Sequence, residues 1–71
     1  MDGLTGLDVK IERIRAGVRQ YHVAGALRIS QTTLSQIENG QKPVTQDRLG
    51  EIARTIRDLA PRERQEGTNG R

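Results

Sequence analysis

The residues of this chain best suited to recognition chemistry are Gln31, Thr32, Ser35 and Gln36, set in a short segment between Ser30 and Asn39-Gly40. On a helix of 3.6 residues per turn they gather on one side and leave Leu34 and Ile37 on the other. A glutamine amide presents a donor and an acceptor side by side and can pair bidentately with adenine N6 and N7. Thr and Ser add hydroxyls, and Thr a methyl group that suits the thymine methyl. An exposed helix face with no recognition role would carry Lys and Glu in pairs. Here neither appears between Ser30 and Ile37, and the first acid is Glu38.

Other chemistries are poorly supplied. The chain has no Cys and one His, His22, so thiolate metal sites, disulfides and thiol nucleophiles are excluded and a zinc site is not expected. No second ligand or nucleophile accompanies His22, so we expect no enzyme activity, no cofactor, no metal and no small-molecule ligand. No run approaches the ~20 apolar residues of a membrane span, and the first residues carry no signal-like apolar stretch, which predicts a soluble, cytoplasmic protein. The formal net charge is +3, and its distribution says more than its total. No Asp or Glu occurs between Arg13 and Ile37, while Arg13, Arg15, Arg19 and Arg28 fall in that stretch. An acid-free zone of this kind suits a surface facing the phosphates of double-stranded DNA.

The elements that must hold these residues follow from apolar spacing. With 71 residues, 32% of them hydrophobic and a single aromatic, Tyr21, the core has to be built from Leu, Ile, Val and Ala on helices. Met1 to Gly6 form a loose lead-in, with Thr5 or Asp8 available as a cap. Leu7, Ile11, Ile14 and Val18 recur at four, three and four and share a helical face, predicting helix 1 over Asp8 to Ala16, stopped by Gly17. Val23, Ala24 and Leu27 predict helix 2 from Gln20 to Leu27. Ser30 caps helix 3, whose inner face is Leu34 and Ile37 and whose end is Asn39-Gly40. Pro43 enforces a turn. Thr45 caps helix 4, with Val44 and Leu49 as a hydrophobic staple, and Leu49, Ile52, Ala53, Ile56 and Leu59 form its apolar stripe. Pro61 is expected to end regular structure. The expected fold is therefore all-α, a compact domain of four or five helices over residues 1–60, followed by a disordered polar tail over 61–71.

In this arrangement Ala24 allows helices 2 and 3 to cross closely, Ile29 plugs the turn, and Leu34 and Ile37 lock helix 3 in place. The run Gln20 to Gly40, QYHVAGALRISQTTLSQIENG, resembles the Cro/C1-type helix-turn-helix family of phage repressors and small bacterial transcription regulators. The match lies in Gln20, Ala24, Leu27, Ile29-Ser30, Leu34 and Ile37-Glu38-Asn39-Gly40, and extends more loosely to Leu59. The resemblance implies a fold of the repressor-like helix-turn-helix type, in which Gln20 bonds a phosphate and Gln31, Thr32 and Gln36 face base edges. It puts Ser35 and Thr33 at the margin between base and phosphate, and gives backbone contacts to Asn39, Gln41 and Lys42. Charge and position add Arg19 and Arg28 to the phosphate set.

Three features depart from the family pattern. Arg28 stands where the family has Gly, which predicts a left-handed non-glycine residue at a cost of roughly 1 kcal/mol. Arg19 replaces the usual hydroxyl cap of helix 2. The helix 1 apolar positions are displaced before Gly17, predicting a shifted packing register. A weak homodimer, forming only on DNA, is expected through the end of helix 4 near Ile56, Leu59 and Pro61. The alternatives are an antitoxin or recombination-directing DNA-binding factor, or a protein-interaction module on the same scaffold.

Overall fold

A computed structural model of the chain describes residues 3–69, with side chains over 3–60. Four helices follow one another: α1 (Gly6–Ala16), α2 (Gln20–Leu27), α3 (Gln31–Glu38) and α4 (Gln46–Asn69), with no strand among the described residues. Each of the first three begins after an extended residue, and the caps follow local chemistry. The Thr5 hydroxyl accepts from the Asp8 amide at 3.1 Å while the Asp8 carboxylate accepts from the Thr5 amide at 3.0 Å, a reciprocal capping box that starts α1 two residues earlier than expected. Ser30 accepts from the Thr33 amide at 3.0 Å, and Thr45 from the Arg48 amide at 3.1 Å. Arg19 caps α2 without any side-chain bond, as its type requires.

The helices α1, α2 and α3 end in the same way. A left-handed residue closes each end: Gly17 at φ 74° and Arg28 at φ 61° directly after α1 and α2, and Gly40 at φ 75° one residue beyond Asn39, the cap of α3. The amide one step further on reaches back to close the end, from Val18 to the Arg13 carbonyl, Ile29 to Ala24 and Gln41 to Gln36. Glycine takes this conformation freely, and arginine at a cost of about 1–2 kcal/mol. The strain anticipated at Arg28 is therefore present.

Val9, Val18, Val23, Ala24, Leu34, Ile37, Leu49, Ile52, Ala53 and Ile56 make up the buried core, with Leu4, Leu27, Ile29, Val44 and Leu59 packed against it. The stripe on α4 and the inner face of α3 are where their periodicity puts them. α1 is different. Its buried apolar residue is Val9, while Leu7, Ile11 and Ile14 are 57%, 43% and 59% exposed. The face with the stronger apolar spacing thus looks outward, and no shift of packing register brings it in. Val9 can lie inward because α1 is also fixed there by Arg13, which is drawn to a carboxylate on α3, and by Gly6, where a Cβ would run into the Ile37 carbonyl oxygen.

Two further expectations are corrected. The lead-in is not loose from Leu4 onward: the Gln46 amide accepts from the Leu4 amide at 2.8 Å and donates to its carbonyl at 2.7 Å, clamping it to the start of α4. Pro61 does not end α4, whose backbone stays helical to Asn69. The flanking run Arg62-Glu63-Arg64-Gln65-Glu66 consists of good helix formers, and these carry the helix past the one missing amide. The polar tail expected over 61–71 lies outside the residues whose side chains are described. Ile56 is fully buried and so cannot serve the dimer contact expected at the end of α4.

Candidate nucleic-acid interface

The two short helices α2 and α3 are held at their crossing by small and apolar side chains. Ala24 is 3% exposed, Leu34 0% and Ile37 5%, with Ile29 half-buried in the turn between the helices. Inward anchoring on one side of α3 leaves the other side free. Gln31 and Thr32 are exposed, and Ser35 and Gln36 are half-buried beside them. These four share one surface, as their spacing requires.

Behind that surface lies a chain of polar contacts. Glu38 is 2% exposed, and Arg13 meets it with Nε at 2.7 Å from Oε2 and Nη2 at 3.2 Å from Oε1. The third nitrogen of the guanidinium donates to the Val18 carbonyl at 3.1 Å. Gln20 donates from Nε2 to Glu38 Oε1 at 3.0 Å, and its own Oε1 accepts from Gln31 Nε2 at 3.2 Å. Gln20, expected at a phosphate, is therefore half-buried and engaged at both ends of its amide. It links the exposed Gln31 to a buried ion pair. No buried side-chain polar atom among the described residues is left without a partner.

The remaining expected residues fall into two groups around α3. Arg19, Arg28, Gln41 and Lys42 are all exposed, the first two at the ends of α2 and the others in the loop between α3 and α4. Thr33 and Asn39 are tied down. Thr33 accepts from the Ser30 hydroxyl at 2.9 Å; Asn39 donates to Ser35 Oγ at 3.4 Å and accepts from Lys10 Nζ at 3.3 Å, which bridges α1 to the end of α3. Thr33 and Lys42 also line a hollow of about 400 Å³, together with Ile29, Ile37, Val44 and Arg48. Arg48 pairs with Glu51 at 2.8 Å on the surface.

Sequence reasoning does not pair Arg13 with Glu38 behind the site, nor place Arg48 at the hollow. A signal for the first two was present. Glu38 lies four residues after Leu34, on the buried side of α3, and a carboxylate placed there demands a buried cation. Arg13 is a cation of the acid-free stretch one helical turn before Gly17. Nothing comparable distinguishes Arg48.

Two short helices joined by a left-handed turn and crossed over a small residue, with the second presenting an uncharged polar face, define the DNA-binding helix-turn-helix class. Comparison with protein families matches residues 6–66 to the helix-turn-helix domain family, and the chain belongs to it. No curated protein and no solved structure matches the chain. Among the described residues no helix is long and apolar enough to cross a membrane.

Proposed function

We propose that this protein is a sequence-specific transcription regulator of the repressor type, similar to the Cro/C1 group, which places α3 in the major groove of duplex DNA. The observation that carries this reading is the division of α3 into a buried apolar side, Leu34 and Ile37, and an outward side of Gln31, Thr32, Ser35 and Gln36 without charge. The major groove admits a helix and displays a donor and acceptor pattern distinct for each base pair, which such side chains can match.

Arg19, Arg28, Gln41 and Lys42 are exposed around this face and supply phosphate contacts; these fix register and make affinity salt-dependent. Thr33 and Asn39 stand at the margins. Gln20 acts mainly on Gln31, whose amide it holds from behind, and secondarily on the backbone. Bound protein would act by occluding the duplex. The rival of a protein-interaction module would need Leu, Met or aromatic residues on the outward side of α3, and that side has none.

Selection of bound duplexes from a random library tests the proposal. A defined sequence should emerge for the wild type, and Gln31→Ala or Gln36→Ala should relax preference at one or two positions. Lys42→Ala should weaken all duplexes alike and flatten the salt dependence by about one unit of slope. Equal weakening on every sequence by the Gln31 and Gln36 substitutions would remove base reading from α3.

A further inference from the structure

Leu7, Ile11 and Ile14 form a continuous apolar strip that the core does not use. At 3.6 residues per turn they lie within about 60° of arc, and Val9, the buried residue of α1, stands about 180° away. Their exposures of 57%, 43% and 59% make up three of the four large exposed hydrophobics among the described residues. Scattered surface apolar residues need no explanation, but a strip two turns long on one helix does.

The charges beside the strip indicate what covers it. Asp8 and Arg15 are seven residues apart, within about 20° of each other around the helix, and so flank the strip on the same side at opposite ends. Both are exposed. A second α1 laid antiparallel across the first, related by a twofold axis near Ile11, keeps that flank on the same side and reverses its direction. Asp8 of each copy then stands beside Arg15 of the other. On the opposite flank Lys10 is drawn away toward Asn39, at 3.3 Å, so it does not oppose its own twin.

We propose that the outward face of α1 is a self-association surface on which a second copy of this chain packs antiparallel, with Leu7, Ile11 and Ile14 in the seam and two reciprocal Asp8–Arg15 pairs at its edge. The contact is isologous, so it closes at two copies. Three apolar side chains and two exposed ion pairs cover far less than the ~800 Å² per partner of a standard stable interface, so the dissociation constant falls between about 1 µM and 1 mM. The association does not depend on the DNA-binding reading, because it is measured without DNA.

Sedimentation equilibrium of the full chain at low salt, from about 0.1 µM to 1 mM, provides the test. The wild type should pass from monomer to dimer in that range and go no further. Ile11→Glu should raise the dissociation constant at least ~10-fold with the thermal melt unchanged, since Ile11 lies outside the core. Asp8→Arg and Arg15→Asp each convert both edge pairs to like charges and should weaken self-association ~3- to 10-fold. An equal mixture of the two variants restores both attractions in the mixed dimer and should return near wild-type affinity. Should Asp8→Arg fray α1 by losing its bond to Thr5, Arg15→Asp and Ile14→Glu carry the test without it. A chain monomeric to 1 mM, or a dimer indifferent to Ile11→Glu, overturns the proposal. Failure of the mixture to recover overturns the antiparallel arrangement.

Discussion

α1 and α3 carry apolar residues at similar helical spacing and use them in opposite ways. In α3, Leu34 and Ile37 are buried and the polar side faces outward; in α1, Leu7, Ile11 and Ile14 face outward and Val9 alone of the apolar residues is buried. The difference lies in the tertiary anchors. α3 is set by two buried apolar residues, Leu34 and Ile37, whereas α1 has Val9 for its one buried apolar residue and is held besides by the Arg13 guanidinium on Glu38 and the close approach of Gly6 to Ile37. Periodicity identifies a face on a helix. It does not say which of two faces the rest of the fold will cover.

The contrast can be broken most directly at the ion pair that orients α1 on α3. Glu38→Ala should destabilise the fold by about 3–5 kcal/mol in chemical denaturation, because it leaves the Arg13 guanidinium buried without its carboxylate. Leu34→Ala should cost about 2–5 kcal/mol by transfer and cavity terms. A loss under 1 kcal/mol for either would mean that α3 is not anchored as described. Next in size is Gln31→Ala, which should reduce discrimination between preferred and mismatched duplexes by about 1–3 kcal/mol in competition binding, with stability little changed.

Smaller effects sharpen the comparison. Arg28→Gly should raise stability by about 1 kcal/mol by relieving the left-handed turn, while lowering DNA affinity in a salt-dependent manner; a variant that gains stability without losing affinity would assign Arg28 no contact with phosphate. Smallest is Ile14→Gln, expected within about 0.5 kcal/mol of wild type in thermal or urea unfolding. A penalty near that of Leu34→Ala would place Ile14 in the core after all.

Much of the fold was legible from local chemistry. Ser30 and Thr45 announced the starts of α3 and α4, Gly17 and Gly40 the ends of α1 and α3, and even the left-handed Arg28 followed from its position at the turn. The bounds of α2 came out as read. What local chemistry could not supply were contacts between residues distant in sequence. The Gln46 clamp on Leu4 spans 42 residues and the Arg13–Glu38 pair spans 25. Without them Leu4 reads as a lead-in, Arg13 as one more surface cation, and Gln20 as a free amide. The continuation of α4 past Pro61 is hidden for a different reason: a proline is a strong local stop signal, and the five strong helix formers behind it outweigh it. The outward residues of α3 were legible because their placement needs only the 3.6 period and two buried anchors.

The bond from Gln31 to Gln20 has a consequence for binding thermodynamics. A surface glutamine samples many rotamers, and freezing one against a ligand costs up to about 1.5–2 kcal/mol of side-chain entropy. Here the amide of Gln31 is already hydrogen-bonded to Gln20, which is itself fixed by Glu38. Part of that freedom is given up when the chain folds, so Gln31 meets a partner already biased toward one orientation and with less disorder to lose.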